Sequence, residues 1–424
     1  MIRRKTALRP LAVAAAVTLT LAACGSASED GGDAASPGAG GEAAGEPLKI
    51  GTLLPVTGSL SQFGPPTITG VDLAVQEINE AGGVLGQDVE VSHKDSSDAD
   101  NAQVATQSVT ELVSENVSII VGAASSQVTR NVLDDVTGAE IVQISPANTS
   151  TSLSGVSDFY FRTAPPDTVQ GDVLGNLIIN DGYANLAILV LNDEYGTGLR
   201  DVVQSVVEEA GGSVTYGGPG DEFDPTEQNF ATIVGNALAT QPDAVAIIAF
   251  TTQTPLIVSE LVNQGFDMSK TYFVDGNIQN FGDDFDPGTL EGAQGTQPGA
   301  FPSEEFQGRL TQVNPDLKDF NYAAEAYDAA ILGALAAVRG GATDGPTIQQ
   351  NMAAVSGAEG GTECTGFKEC ADLLADGEAI TYQAVSGVGP FNEDNDPSAA
   401  NIGIYLFDGE NNNSFQRVEF GEVK

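Results

Sequence analysis

Residues 48–424 predict an α/β protein of two similar lobes, each a parallel sheet flanked by helices, on three observations. Short β-type runs alternate with amphipathic stretches long enough to be helices, which implies parallel strands covered on both faces. The alternation runs through once, pauses around Arg162-Thr163-Ala164-Pro165-Pro166-Asp167, and starts again. The segment also exceeds one core, since chains beyond about 250–300 residues split into separate bodies.

The first run opens with Leu48 to Pro55, a β-type stretch stopped by proline. Val71, Ala74, Val75 and Ile78 then recur at helical spacing, and Ala81-Gly82-Gly83 ends that helix. Val89 to Val91 reads as a strand and Ala105, Val109, Leu112 and Val113 as a helix face. Ser118 to Gly122 is a buried strand, Ser126 to Val136 a helix, and Ile141 to Pro146 another strand. In the second run, Leu186–Leu191, Ser213–Tyr216, Ala244–Phe250 and Thr271–Val274 are strands. Helices over Leu199–Ala210, Phe230–Leu238 and Pro255–Asn263 separate them. An Ala-rich helix follows from Asn321 to Val338. The chain ends in β-type runs, Asn401–Phe407 and Phe415–Phe420, around the hairpin turn Asp408 to Asn412.

Residues 1–23 predict an export signal. Arg3, Arg4, Lys5 and Arg9 precede an apolar run from Leu11 to Ala22, shorter than the roughly 20 residues that cross a bilayer. The run closes on Leu21-Ala22-Ala23-Cys24-Gly25, which resembles the lipobox of bacterial lipoproteins and makes Cys24 the expected lipidation site. The alternative is an ordinary signal peptide followed by a chance cysteine. Residues 24–47 hold few large apolar side chains and much Gly, Ser and Ala, so a flexible tether is expected.

Composition excludes several functions. The formal charge is −43, and removing the four basic signal residues leaves 12 − 59 = −47. Such a field repels phosphate backbones, so no nucleic-acid partner is expected. His93 is the only histidine, which removes most catalytic and metal sites built on imidazole. With Cys24 assigned to lipid, Cys364 and Cys370 are left as a pair in an oxidising compartment, and a disulfide across Gly366 is expected over free thiols. The acidic runs Asp283-Asp284…Asp286 and Asn392 to Asp396 sit among Gly, Pro and Asn and read as solvated turns.

In order and spacing, the body resembles the branched-chain amino acid (leucine-isoleucine-valine) binding proteins of ABC importers, in an actinobacterial lipoprotein branch. The matching residues include Thr57-Gly58…Phe63-Gly64, Gly70…Ala74…Asn79…Gly82-Gly83, and Gly122 followed by Ser125-Ser126. Ser145-Pro146…Thr149, Phe161-Arg162-Thr163…Asp167…Gln170-Gly171, Tyr195-Gly196…Gly198 and Tyr327-Asp328-Ala329 complete the set. The resemblance implies a type I periplasmic-binding-protein fold whose two lobes are joined by three hinge crossovers. Lobe 1 would be 48–165 plus 300–398, and lobe 2 would be 166–299 plus 399–424. It also implies a small-solute ligand, ABC permease partners, a monomer, and no catalytic residue, metal or cofactor. Localisation would be the outer face of the cytoplasmic membrane, held by the Cys24 lipid.

Ser125-Ser126 follows a strand and opens a helix, so hydroxyls and backbone N–H groups converge where a carboxylate could bind. Asn148 and Thr149 follow the next strand and offer donors and acceptors at the same edge. Carried over from the family, Tyr195, Phe250-Thr251 and Asp275 face them, with Asp275 toward an α-ammonium group and Phe63 in the apolar wall. Alternatives are a same-fold receptor for urea, short amides or aromatic acids, a sensor, and a lipid-anchored hydrolase using an acidic cluster.

Overall fold

The computed structural model describes residues 46–423. The export signal, Cys24 and nearly all of the predicted tether lie outside the described residues.

In the first sheet the inner strands are buried runs covered on both faces, while the edge strand over Glu90–Asp95 is polar and partly exposed. In chain order it is built from β1 (Lys49–Leu54), α1 (Gly64–Glu80), β2 (Glu90–Asp95), α2 (Ala102–Ser114), β3 (Ile119–Gly122), α3 (Ser126–Gly138), β4 (Val142–Ser145) and β5 (Tyr160–Arg162). Its strand order is β2-β1-β3-β4-β5, all parallel. β5 stands where the sequence pattern pauses: Tyr160, Phe161 and Arg162 are all buried, a run too short to show a period.

The second run gives α4 (Asp167–Asn180), β6 (Asn185–Val190), α5 (Glu194–Glu209), β7 (Ser213–Tyr216), α6 (Ala231–Ala239), β8 (Ala244–Ile248), α7 (Thr254–Asn263), β9 (Thr271–Phe273) and β10 (Gln294–Pro298). The chain then forms α8 (Glu304–Val313), α9 (Ala323–Gly340), α10 (Gly345–Ser356), β11 (Thr362–Cys364), α11 (Gly366–Ala375) and β12 (Ile380–Tyr382). It ends in β13 (Ala399–Phe407) and β14 (Asn413–Glu422).

The second sheet has the order β14-β13-β10-β9-β8-β6-β7. It is parallel from β10 through β7, as expected, and the C-terminal hairpin adds two antiparallel strands at its edge. β13 runs antiparallel to both β10 and β14, and its pairing with β14 follows from the short hairpin that joins them. The turn is the predicted one, with Asn411 N–H donating to the Asp408 carbonyl at 3.0 Å. β10 escaped the sequence reading, since Gln294-Gly295-Thr296-Gln297-Pro298 is polar even though four of its five residues are buried.

α9 returns to the first sheet. Its apolar residues Ala326, Ala329, Ala330 and Ile331 share a core with Val71, Ala74, Ile119 and Ile144. Gly70 on α1 lets the start of α9 come close: a Cβ there would lie 2.2 Å from the Ala323 carbonyl oxygen. The chain thus passes between the two sheets after β5, after β10 and before β13. Cys364 and Cys370 are joined by a disulfide with Cα atoms 5.3 Å apart, linking β11 to α11. Gly366, at φ +63°, makes the turn between them.

One acidic run departs from the solvated reading. Asp396 is 1% exposed and paired with the fully buried Arg162, whose Nη2 donates to it at 2.8 Å. Arg162 also donates to the Ser150 carbonyl at 2.8 Å and to the Ser154 hydroxyl at 2.8 Å. It therefore fixes the loop that carries Asn148, Thr149 and Ser150.

Candidate ligand-binding site

The strand ends of the two sheets face each other, and the cavity between them is lined by Leu60, Phe63, Ala124, Ser125, Ser126, Ala147, Thr149, Tyr195, Phe250, Asp275 and Gly276. Seven of the nine ligand-site residues named from the sequence (Phe63, Ser125, Ser126, Thr149, Tyr195, Phe250 and Asp275) meet there. The cavity is small, ≈ 10 Å³, room for about one water-sized sphere. Larger hollows of ≈ 620 Å³ beside α11 and ≈ 750 Å³ between α4, α5 and β14 lie on the outer surface. Of these three hollows, the cleft is the one that gathers buried polar groups from both sheets.

On the first sheet's side, Ser125 is the N-cap of α3 and accepts from Val128 N–H at 3.3 Å. Capping therefore falls to Ser125. Ser126, one residue later, reaches the loop after β4, accepting from Ser150 N–H at 3.4 Å. The buried Thr149 hydroxyl has no hydrogen-bond partner within the protein. These hydroxyls stand at the positive end of the α3 dipole, where an anionic group is favoured.

Asn148 does not line the cavity, contrary to expectation. Its Oδ1 accepts from Thr129 Oγ1 at 2.6 Å and Tyr160 Oη at 3.0 Å, and its Nδ2 donates to the Ala124 carbonyl at 2.7 Å. The carboxamide ties β4's loop to α3, so its role is to hold Thr149 in place. Thr251 is also outside the cavity. Its hydroxyl donates across the cleft to the Ser59 carbonyl at 2.9 Å, which makes it a rim contact. A second rim contact runs from Ser150 Oγ to the Glu194 carbonyl at 3.1 Å, so the described form is shut.

Facing Ser126 and Thr149 is Asp275, 4% exposed. Its Oδ1 accepts from Tyr195 Oη at 2.7 Å and Gln170 Nε2 at 3.0 Å, and its Oδ2 accepts from Tyr322 Oη at 2.7 Å. Burial raises its pKa, and these donors act in the opposite direction. Tyr195 lies in the first turn of α5, which begins earlier than the sequence suggested because Asp193 caps it, accepting from Tyr195 N–H at 2.8 Å. Its ring stacks on Phe250 at 5.6 Å between centroids. Phe63 meets Tyr322 edge-on at 5.1 Å.

Two functional residues were missed from the sequence. Tyr322 was read only as part of a packed helix face; it sits at φ +59°, a conformation uncommon for an aromatic residue, just before α9. Asp167 begins α4, and its N–H donates to the Thr149 carbonyl at 2.6 Å. The side chain is fully buried and neither carboxyl oxygen has a partner. Its pKa stands well above the usual carboxylate range, from burial first and then the nearby Asp275, with the Thr149 hydroxyl and the Arg162 charge acting in the opposite direction. No residue label marked that environment; it exists only once three separate segments meet.

Among known proteins, residues 47–385 match the model of the family described as periplasmic binding protein. Over 366 residues the chain is 29% identical to the chemotactic signal transduction system substrate-binding protein BasB of Halobacterium salinarum, covering 81% of this chain and 83% of that one. Over 172 residues it is 33% identical to the leucine-, isoleucine-, valine-, threonine-, and alanine-binding protein of Pseudomonas aeruginosa, covering 40% of this chain and 45% of that one. In structure it is similar to the branched-chain amino acid transporter substrate binding protein LivJ of Streptococcus pneumoniae, solved with isoleucine. The TM-score is 0.70 at 22% identity, over 89% of this chain and 100% of that one. The two facing sheets are thus a type I periplasmic-binding-protein fold, and the chain belongs to the periplasmic binding protein family.

Proposed function

We propose that the chain is the solute-capturing component of an ABC importer and that its solute is an α-amino acid of the branched-chain type. The observation that carries this is the pairing of opposite chemistries across one apolar cleft. Ser125, Ser126 and Thr149 at the α3 N-terminus suit a carboxylate, while Asp275, held by Tyr195 and Tyr322, suits an ammonium group. Leu60, Phe63, Ala124, Ala147 and Phe250 leave a small apolar side chain as the remainder of the ligand. The shut cleft has room for about one water-sized sphere, so both entry and holding of an amino acid require the rim contacts of Thr251 and Glu194 to part and the bound cleft to be wider. Lobes 48–165 with 300–398 and 166–299 with 399–424 would then rotate about the three crossovers. Capture needs only that the closed form bind more tightly than the open one, so no reacting group is assigned.

The test is a thermal-shift panel on residues 47–424. Leucine, isoleucine or valine at 100 times its dissociation constant is expected to add about 2.7 kcal/mol of stability. Silence across amino acids, with a shift from urea, an amide or an aromatic acid, would overturn the amino-acid assignment. The similarity to BasB favours a second reading, in which the closed form is presented to a signalling partner. The same ligand panel serves both readings, and uptake assays on cells separate them.

We further propose that the protein is a lipoprotein held at the outer face of the cytoplasmic membrane through Cys24, beside its permease. Cys24→Ser is expected to move the protein from the membrane fraction to the medium with ligand affinity unchanged. Continued membrane association of the variant would remove the lipid from this account.

A further inference from the structure

We infer that Glu325 is a proton-controlled element of the hinge: its carboxyl is neutral while the lobes are shut and ionises as they part, so alkaline conditions favour the open form. This rests on the lobe closure proposed above and not on the identity of the solute. It begins from how the passages between the sheets are held. The Thr163 hydroxyl, just after β5, donates to the Glu325 carbonyl at 2.8 Å. Gly299, just after β10, backs onto the Glu325 side chain so closely that a Cβ there would lie 2.2 Å from Oε1. Its N–H donates to the Asn401 carbonyl on β13 at 2.8 Å. In the segment before β13, the N–H groups of Val385 and Ser386 donate to Asp328, one turn further along α9, at 3.0 and 2.9 Å. The opening turns of α9 thus hold the chain at or beside all three passages.

The two carboxyl groups of this hub differ. Asp328 also accepts from the hydroxyls of Tyr382 and Ser386, each at 2.6 Å, which makes four donors in all. Glu325 is 4% exposed, and its own backbone N–H is the one donor acting on its carboxyl. Burial pushes its pKa up to about 8, with that N–H opposing the rise and the Asp328 charge adding to it. A carboxyl so placed holds its proton at neutral pH.

No cation on the surrounding elements offsets this among the described residues. Arg162, just before Thr163, is committed to Asp396 and the Ser150 carbonyl. The loop before α9 brings Asp319, itself raised by burial, and Tyr322, which donates to Asp275. β10 brings Gln297, β13 brings Tyr405, kept neutral by burial, and residues 299–303 hold no titratable group. α1 meets this turn through Gly70, while its Glu77 is taken by Arg309 and Tyr327 and its Asp72 by His93. β3, β4 and α10 carry no acid or base, and Lys368, Glu369 and Asp372 of α11 are exposed.

Glu325 rides on a helix of the first sheet, whereas Gly299 ends a strand of the second. Tyr322, one turn earlier, reaches Asp275 in the cleft, so the carboxyl lies beneath the cleft floor, on the side that parts on opening. Separation from Gly299 admits water, and the pKa returns toward the ordinary glutamate value of about 4.3. Linkage sets the sign. Between that value and about 8 the shut form holds a proton that the open form has lost, so raising the pH through this window favours opening. Below the window both forms are protonated and above it both are ionised, and the balance no longer depends on this group.

Single-molecule fluorescence energy transfer tests this on residues 47–424 without ligand, with dyes at the exposed positions Gln103 on α2 and Asn236 on α6. The shut fraction of wild type is expected to fall at least tenfold from pH 6.5 to pH 9. Glu325→Gln, which imitates the neutral carboxyl, is expected to keep nearly the same fraction at both, and Glu325→Met serves if the first variant does not fold. Two conformations in unchanging proportion in wild type would overturn the inference and leave lobe closure intact. A fall as steep in the variant as in wild type would also overturn it. A single conformation at every pH, with and without leucine, would instead bring down the closure on which the inference rests, and the inference with it.

Discussion

Methionine in place of Arg162 is expected to lower the unfolding free energy by about 3–5 kcal/mol, the usual cost of breaking a buried ion pair from one side. The guanidinium is fully buried and Asp396 is 1% exposed, so the variant leaves a carboxylate with no counter-charge and no water. It also frees the carbonyl of Ser150 and the hydroxyl of Ser154. Urea unfolding followed by circular dichroism reads the change as a fall in midpoint at constant slope. Adding Asp396→Leu should recover much of the loss, because two apolar groups of similar volume remove the stranded charge. A single variant within about 1 kcal/mol of wild type would mean that solvent reaches the pair, as for a surface ion pair.

The second large effect is on binding. Asp275→Asn keeps the side-chain shape but removes the charge that faces the cavity. Leucine affinity is expected to fall about 10–100-fold, the range for losing one charge-assisted hydrogen bond. Stability should fall by about 1–3 kcal/mol, since the amide nitrogen cannot accept one of the hydrogen bonds that Tyr195, Gln170 and Tyr322 give the carboxylate. 4-Methylpentanoate, which has no ammonium group, should bind wild type and variant alike. A variant that loses both ligands equally would place the role of Asp275 in shaping the cleft, through Tyr195 and Tyr322, and not in meeting the amine.

Much of the architecture was legible because helical and strand periods are local properties. Val71, Ala74, Val75 and Ile78 mark α1 without help from any other segment. β5 and β10 were not legible, since one has three buried residues and the other is largely polar. The start of α5 was missed for a different reason. Gly196 and Gly198 suggest a turn, yet Asp193 followed by Glu194 is a serviceable N-cap, and the cap prevails.

The site divides along the same line. Ser126 and Thr149 could be read from their place after buried strands, where loops converge. Asn148 belongs to the same loop, but its carboxamide is claimed by Thr129 on α3 and Tyr160 on β5, partners invisible from its own neighbourhood. Asp396 looked solvated among Asn and Pro, and Arg162, 234 positions away, buries it. Contacts of that separation are set by tertiary packing alone.

The late return of α9 to the first sheet also constrains the order of folding. Tyr327 on α9 donates to Glu77 on α1 across 250 positions, and β13 joins β10 only after β12 is made. Neither sheet can acquire its full covering until nearly the whole chain has emerged, which raises the contact order and slows folding. Under the export proposed above, slow folding of this kind would keep the nascent chain open for threading through a membrane, and its two halves would mature together on the far side.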